Sequence, residues 1–423
     1  MQHTITPEDH GPFGAPMERA VRACVHCGFC LAACPTYQEL GEELHSPRGR
    51  IILMKEVLEG NLTADEAQPY LDPCLGCLAC EPACPSGVPY RDLISPFRAL
   101  TNRERKRPLI DRLKRFLIEQ TLPFPKRFRL AAQTGRLAKP LKALAPKALQ
   151  PMIDLIPDRL PPQQSIPVIS PAIGETRYRV ALLAGCAQQV LDPDINAATI
   201  EVLNRNGVEV VTPPNQSCCG ALSWHVGNLT QAQKYARQNL KAFPQNIDAI
   251  LTNAAGCGSG LQEMPLILRG TDYEDDAKDF SQRVMDISVF LNRLGNLAFT
   301  KHKEYPALRI AYHDACHLAN AQGVRSEPRQ LLAQIPGAEI LEIPDAHLCC
   351  GSAGTYNIDQ PAVAHALGQQ KAQNIVDLKP DIIASGNIGC LTQLKLHLDQ
   401  LGYAIPIRHT IQVLRDFKSL SDL

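Results

Sequence analysis

Two copies of one cysteine motif constrain this chain more than any other feature of its sequence. The motif is C-x2-C-x2-C-x3-C-P, and it reads CVHCGFCLAACP in the first copy and CLGCLACEPACP in the second. Its cysteines are Cys24, Cys27, Cys30, Cys34, Cys74, Cys77, Cys80 and Cys84. Three thiolates spaced three residues apart can wrap one iron–sulfur cluster within a tight loop. The motif therefore predicts two such clusters in the N-terminal part of the chain.

The fourth cysteine of each copy is followed by Pro35 or Pro85 and is predicted to point away from its own loop. In two-cluster ferredoxins this cysteine ligates the other cluster. Applied to this chain, the rule assigns the ligands of two [4Fe–4S] clusters. Cluster 1 takes Cys24, Cys27, Cys30 and Cys84, and cluster 2 takes Cys34, Cys74, Cys77 and Cys80.

Zinc and haem are the alternative occupants of such motifs. Structural zinc usually takes two separated C-x2-C pairs, and the two quartets fit that pattern poorly, although zinc stays open as the alternative. Covalent haem attachment needs C-x-x-C-H, whereas Gly28 follows Cys27 here. Haem is therefore excluded at this motif.

The composition supports a metal role for the cysteines. The chain has 423 residues, 16 of them cysteine, and 43 basic residues balance 43 acidic ones. A net charge of zero gives no general attraction to nucleic acid. No apolar run is long enough for a membrane span, and the N-terminus lacks the pattern of a secretory signal. We therefore expect a cytoplasmic protein whose thiols stay reduced and serve metals rather than disulfides.

A helix and a basic segment are predicted between the cysteine regions. SPRGRIILMKEVLEG (46–60) has a helical apolar face, and its Arg48 and Arg50 are candidates to compensate the charge of an anionic cluster. Residues 103–147 hold 14 Lys/Arg and 3 Asp/Glu, a charge of 14 − 3 = +11. This segment is interpreted either as a contact with an anionic membrane or acidic partner, or as a solvated basic face. The proline-rich residues 151–171 predict a linker.

The remaining cysteines form an internal repeat. They are Cys186, Cys218, Cys219, Cys257, Cys316, Cys349, Cys350 and Cys390. The second four follow the first four at separations of 130, 131, 131 and 133 residues, and SCCGA is matched by LCCGS. A regular separation of this kind indicates duplicated modules.

Each module alternates predicted strands with helices, which favours a parallel α/β sheet. The cysteines fall at or just past the predicted strand ends, where ligands of open parallel sheets gather. Adjacent thiolates can bind different irons of a cluster, so each module is a candidate for an additional iron–sulfur cluster. Buried structural cysteines are the alternative. His225, His313, His317 and His347 lie near these cysteines in sequence and could tune a cluster or move protons.

The predicted fold class is α+β. A largely helical, ferredoxin-like domain with two clusters spans 1–100, and a basic helical segment with a Pro-rich linker spans 101–177. Two repeated α/β Cys-Cys-Gly modules follow, at 178–300 and 305–423. The glycine-rich NAAGCGSG (253–260) lacks the spacing of a dinucleotide-binding loop, so no nucleotide site is predicted.

In their order, these motifs resemble the iron–sulfur subunits of bacterial glycolate oxidase (glycolate dehydrogenase). The resemblance runs nearly end to end and is carried by ACVHCGFC, CPTYQ, SPRGRI, CPSGV, CCGA, HLCCGSAGTY and NIGC. It implies an electron-transfer subunit of an oxidoreductase complex, in which FAD-binding flavoprotein subunits oxidise glycolate to glyoxylate. Electrons would pass to a membrane quinone or another acceptor, with the chain peripheral on the inner face of the cytoplasmic membrane. No catalytic residue of its own is expected.

The Cys-Cys-Gly modules are also similar to those of heterodisulfide reductases, lactate-utilisation proteins and the iron–sulfur subunit of anaerobic glycerol-3-phosphate dehydrogenase. In heterodisulfide reductases each module ends in C-x-x-C and holds a non-cubane cluster. Here Gly260 and Gln393 occupy the last position. Three alternatives stay open: a disulfide-reducing catalytic subunit, a subunit of a lactate or glycerol-3-phosphate dehydrogenase, and a zinc-stabilised scaffold.

Overall fold

The computed structural model describes residues 1–102, 105, 107–297 and 307–416. Of the predicted basic segment, residues 103, 104 and 106 lie outside the described residues, as do the end of the first predicted module and both ends of the second. The expected α+β class is confirmed, because a helical N-terminal part precedes two parallel sheets that are covered by helices.

The N-terminal part is helical. Its α-helices are α1 (Gly14–Ala23), α2 (Phe29–Ala32), α3 (Pro35–Leu40), α4 (Pro47–Leu58), α5 (Ala64–Leu71) and α6 (Arg91–Thr101). The predicted helix over 46–60 is α4, which begins where the Ser46 hydroxyl accepts a hydrogen bond of 3.0 Å from the Gly49 N–H. Such a cap satisfies one of the free N–H groups of the first turn. Short 3₁₀ helices cover 7–13 and 43–45.

The basic segment consists of α7 (Leu109–Thr121), α8 (Pro125–Ala138) and α9 (Gln150–Asp154). Turns of 3₁₀ helix at 139–144 and 147–149 connect the last two. Pro125 is the first residue of α8, where its missing N–H costs no hydrogen bond. Among the described residues, no helix combines the length and the apolar character that a membrane crossing needs.

The two modules are built on separate sheets. The strands are β1 (Ile169–Ser170), β2 (Tyr178–Leu183), β3 (Val208–Val211), β4 (Ala249–Thr252), β5 (Val284–Asp286), β6 (Leu308–His313), β7 (Ala338–Glu342), β8 (Ile382–Ser385) and β9 (Ile407–His409). The first sheet has the order β1-β3-β2-β4-β5 and the second β7-β6-β8-β9. All pairs are parallel except β1 with β3. The predicted parallel α/β architecture is therefore correct, and β1, β5 and β9 are strands that the repeat pattern did not reveal.

Helices cover both sheets. In the first module they are α10 (Gln188–Leu191), α11 (Asp194–Arg205), α12 (Ala221–His225), α13 (Leu229–Ala242), α14 (Ala255–Gln262), α15 (Met264–Ile267), α16 (Glu274–Arg283) and α17 (Ile287–Leu294). In the second they are α18 (Ser326–Leu332), α19 (Tyr356–Asp359), α20 (Pro361–Asp377), α21 (Ile388–Gln400) and α22 (Thr410–Asp416), with one π-helical turn at His317–Ala321.

The modules share one hydrophobic core rather than standing apart. Val180 and Leu182 of the first sheet belong to the same buried cluster as Ile310 and Tyr312 of the second. The last helix, α22, packs on α11 of the first module, and both terminal nitrogens of Arg415 donate to the Asp194 carboxylate at 2.7 Å. The duplicated halves thus form one body, which fixes their two cysteine groups relative to each other.

Candidate metal centres and the cavity between them

The cysteines predicted to hold cluster 1 lie around one pocket. Cys24, Cys27, Cys30 and Cys84 line it together with Arg48, and Cys80 borders it from the neighbouring set. Burial raises the pKa of the Cys30 thiol to about 11; a backbone N–H lowers it in part, and the nearby Cys24 and Cys84 raise it further. Cys84 therefore lies with the first motif, as the exchanged-ligand rule predicts, although it follows the second motif in sequence.

The cysteines predicted to hold cluster 2 surround a second pocket. Cys34, Cys74, Cys77 and Cys80 all line it. Burial raises the pKa of the Cys80 thiol well above its ordinary value, and Cys77, Cys74 and Cys34 raise it further because each would carry a like charge. Cys34 thus belongs to the second set, which gives two reciprocally exchanged cysteines.

Two arginines face the second pocket. Arg50 is almost fully buried, and its Nη1 lies 3.8 Å from the Cys34 sulfur. Arg98 donates from Nη2 to the Cys74 carbonyl oxygen at 2.7 Å. Burial alone would raise the pKa of the Cys74 thiol, but Arg50 and Arg98 overcome it and the pKa is lowered. The charge compensation expected of Arg50 therefore has a structural basis, whereas Arg98 belongs to no motif and could not be found from sequence.

In each module the four cysteines form one connected group of sulfurs. The sulfurs of Cys186 and Cys218 are 3.7 Å apart, and those of Cys316 and Cys349 are 3.8 Å apart. The hydrogen bond to Cys218, and then burial, raise the pKa of the Cys186 thiol well above its ordinary value. Thiols packed in this way cannot all ionise without a cation, and a bound metal supplies one.

The chemistry of the donor set fits iron–sulfur clusters. All sixteen cysteines are free thiols, and they collect into four sets of four, two of them in ferredoxin-type loops. Soft thiolate sulfur is the ligand that such clusters require.

Local geometry brings each module's cysteines together. Cys257 and Cys390 do not end their strands, as the sequence suggested, but lie in the first turn of α14 and α21. There the partial positive charge of the helix N-terminus favours a thiolate. Gly351 of the Cys-Cys-Gly motif has a φ of +83°, and a Cβ on it would meet the Ala364 carbonyl oxygen at 2.6 Å. This turn therefore requires glycine.

The two positions that lack a fifth cysteine are filled in other ways. A Cβ on Gly260 would already lie 2.5 Å from the Ala221 Cβ. Gln393 is buried, accepts a hydrogen bond of 3.0 Å from Asn357, and has its Nε2 3.1 Å from Nε2 of His397. Packing at Gly260 and hydrogen bonding at Gln393 thus replace the missing thiols, which disfavours a heterodisulfide-reductase type of site.

The second ferredoxin-type set adjoins the second module. Cys77 and Cys349 share a buried cluster, and Cys316 packs against it. The Asn320 side chain donates to the Cys77 carbonyl oxygen at 3.1 Å across this junction. Cys77 and Cys349 are close enough that each raises the pKa of the other, after the larger effects of neighbouring thiols and burial. The cysteine sets therefore form a continuous row from the N-terminal part into the modules.

All eight module cysteines line one cavity of about 730 Å³. The basic segment forms its far wall with apolar side chains, which include Ile118, Phe128, Met152 and Ile156. Lys114 of α7 is buried and pairs with Asp359 of α19 at 2.7 Å, which ties the segment to the second module. Part of the basic segment thus serves internal structure.

The outer side of the basic segment is apolar and basic at once. Its exposed apolar side chains are Leu109, Leu113, Phe116, Leu117, Leu130, Leu137, Leu141 and Leu144. Arg112, Lys126 and Arg127 are exposed beside them. We call this surface, on residues 109–144, the outer face. An exposed apolar patch of this size marks an interaction site.

The histidines singled out by sequence have different environments. His225 and His317 stack at 5.1 Å between ring centres, and Nδ1 of His317 lies 2.6 Å from the Ser259 hydroxyl. Burial lowers the pKa of His317 to about 4, with His225 adding to the effect. Glu263, which accepts from the Trp224 indole at 2.7 Å, completes this network, which sequence reasoning missed. His347 is exposed and lies away from the sulfurs, whereas His313 lies among them.

Comparisons with known proteins agree with this architecture. A 4Fe-4S dicluster domain model matches residues 20–88, and a Cysteine-rich domain model matches 180–262 and 310–395. The chain is 38% identical over 400 residues to the glycolate oxidase iron-sulfur subunit of Escherichia coli, which covers 93% of each chain. It is 36% identical over 404 residues to the probable glycolate oxidase iron-sulfur subunit of Bacillus subtilis, covering 91% of this chain and 90% of the relative.

The chain belongs to the family of glycolate oxidase iron–sulfur subunits.

A more distant relative of this family member is one subunit of the fumarate reductase (CoM/CoB) of Methanothermobacter marburgensis. It is 29% identical over 407 residues, which cover 94% of this chain and 71% of the relative. The match therefore includes the ferredoxin-type domain as well as both Cys-Cys-Gly modules. Membership in the family supports an iron–sulfur role in an oxidoreductase complex.

Proposed function

We propose that this chain is the electron-transfer subunit of a flavin-dependent glycolate dehydrogenase. FAD-binding partner subunits oxidise glycolate to glyoxylate, and this chain conducts the electrons from the reduced flavin to a membrane quinone. Iron–sulfur clusters supply one-electron chemistry to such a path. The observation that carries the proposal is the continuous row of four cysteine sets, which leads from an exposed end into the large cavity behind the basic segment.

In this proposal each set of cysteines holds one centre. The first [4Fe–4S] cluster takes Cys24, Cys27, Cys30 and Cys84, and the second takes Cys34, Cys74, Cys77 and Cys80. The first module holds a further iron–sulfur centre on Cys186, Cys218, Cys219 and Cys257, and the second module one on Cys316, Cys349, Cys350 and Cys390.

The flavoprotein is proposed to dock at the exposed end of the row. Cys27 is exposed there, and the flanking Val25 and Phe29 expose 64% and 66% of their surface. Apolar side chains that flank an exposed thiol in this way are suited to a partner subunit, because their burial drives association. Docking at this point brings the flavin close to the first cysteine set.

The quinone is proposed to enter the cavity from the membrane. The cavity has an apolar wall on one side and the module cysteines on the other, as a long apolar electron acceptor requires. The outer face carries exposed leucines and basic side chains, the combination found in segments that lie on anionic membranes. The chain would then sit peripherally on the inner side of the cytoplasmic membrane.

The test is reconstitution with the flavoprotein subunits. The assembled complex should reduce a quinone analogue with glycolate as donor, and should do so faster than with lactate or glycerol 3-phosphate. The flavoprotein alone should still reduce a soluble dye but not the quinone. Glycolate-dependent quinone reduction without this chain would overturn the proposal, and a preference for another donor would replace the substrate.

The docking site has its own test. The double variant Val25→Glu, Phe29→Glu should weaken assembly with the flavoprotein, because two charges would be buried at the contact. Ile173→Glu, at a site that is 64% exposed but far from this end in the fold, is the matched control and should leave assembly unchanged. Unaltered assembly of the double variant would place the partner elsewhere.

A further inference from the structure

The two modules differ at one position beside their sulfurs. His313 is the last residue of β6, and Leu183 is the last residue of β2. Each lies three residues before the first cysteine of its module, and each is paired with the last strand residue of the neighbour, Ser385 or Thr252. The two side chains therefore occupy equivalent places in the two halves, so that one module offers an imidazole where the other offers only hydrocarbon.

His313 lies within ligand distance of the sulfurs of its module. One of its ring nitrogens and the sulfurs of Cys350 and Cys390 all lie within 4.8 Å of one another. The residue is only 1% exposed, and within the described part of the chain its Nδ1 has no hydrogen-bond partner. A buried polar nitrogen without a partner is costly, and coordination to a metal removes that cost.

The protonation state of the ring suits a ligand. Burial lowers the pKa of His313 to about 3, and the nearby Lys371 lowers it further, so the ring is neutral at physiological pH. Neutral imidazole is the form that binds metals, and it is a suitable ligand for iron. This pKa only accompanies the geometric argument, which rests on the position of the ring among the sulfurs.

We propose that His313 is an iron ligand of the centre in the second module, and that the first module has no such ligand. The second centre then has five protein donors, namely His313, Cys316, Cys349, Cys350 and Cys390, whereas the first has four thiolates. This inference rests on the proposed function, since it assumes iron in the modules. Replacement of thiolate by imidazole raises the reduction potential of an iron–sulfur centre. The second module is therefore the more readily reduced of the two.

The experiment uses the full-length protein, isolated anaerobically with ⁵⁷Fe and with ¹⁵N only in histidine. Pulsed electron paramagnetic resonance should show a strong ¹⁵N coupling to one centre. Mössbauer spectra, which report every iron including those in silent spin states, should show one iron with a distinct environment. Both features should disappear in His313→Leu, which copies the first module, and the centre should shift to lower potential.

Two further variants keep the test decisive. His313→Cys offers a thiolate in place of the ring, and it should retain the iron of the module while losing the ¹⁵N coupling. His397→Gln changes another buried histidine of the same module, one that contacts Gln393 rather than sulfur, and it should retain the coupling.

Each outcome has a defined meaning. If the modules contain iron but the wild-type protein shows neither the ¹⁵N coupling nor the distinct iron, or if both survive in His313→Leu, the ligand proposal is wrong while the proposed function stands. If iron analysis finds only the two ferredoxin-type clusters, or zinc in the second module, the module centres of the proposed function fail as well.

Discussion

Replacing two leucines of the outer face should release this protein from anionic membranes. Leu137 and Leu144 are each 82% exposed. Complete burial of a leucine side chain is worth about 2 kcal/mol, so insertion of the exposed part of each contributes roughly 1.6 kcal/mol. If the side chains insert fully, Leu137→Glu with Leu144→Glu should cost about 3 kcal/mol, and about half as much if they insert halfway. Since about 1.4 kcal/mol is a factor of ten, membrane affinity should fall by about tenfold to about a hundredfold.

The assay is cosedimentation with vesicles of phosphatidylcholine containing a minority of phosphatidylglycerol. The matched control is Val168→Glu with Ile173→Glu, which changes two residues that are 50% and 64% exposed but lie outside the outer face. This control should bind as the wild-type protein does. Equal binding of the outer-face variant and the wild-type protein, or an equal loss in the control, would refute the reasoning.

The basic residues of the same face should contribute separately. Lys126 and Arg127 are exposed, and each basic residue near an anionic surface is worth about 1 kcal/mol at moderate salt. The variant Lys126→Glu, Arg127→Glu should therefore weaken vesicle binding at low salt and approach the wild-type value at high salt. A loss that does not depend on salt would indicate a structural effect instead.

Two further predictions concern the cysteine exchange and a buried carboxyl group. Cys27→Ser combined with Cys84→Ser should remove one ferredoxin-type centre, whereas Cys27→Ser combined with Cys34→Ser should remove both; spin counts and iron analysis decide, and the reverse result would assign the ligands without exchange. Burial raises the pKa of Asp286 from 3.8 to about 6, so its stabilising protonated form is lost as pH rises through about 6. Asp286→Asn keeps an acceptor for the Ser288 N–H and should stabilise the protein by about 2–3 kcal/mol above that pH but not near pH 4. Thermal unfolding scans across this range test it, and an advantage that does not change with pH would contradict it.

The sequence by itself determined the parts that depend on local spacing. The two cysteine motifs predicted two clusters, and the repeat of about 131 residues together with the alternation of strands and helices predicted two parallel α/β modules. The family also followed from sequence, since its motifs are short and contiguous. Local hydrogen bonding and the pattern of apolar residues decide such features, and both can be read along the chain.

The tertiary structure alone decided what lies between these parts. Residues far apart in sequence meet there: Lys114 with Asp359, Cys77 with Cys349, and the apolar wall of the basic segment with the module cysteines. No local pattern encodes these contacts, because they depend on how whole elements pack. The same holds for His313, which one dimension shows only as a histidine near a cysteine. Its burial among the sulfurs, at the place where the other module has Leu183, follows from the register of two sheets.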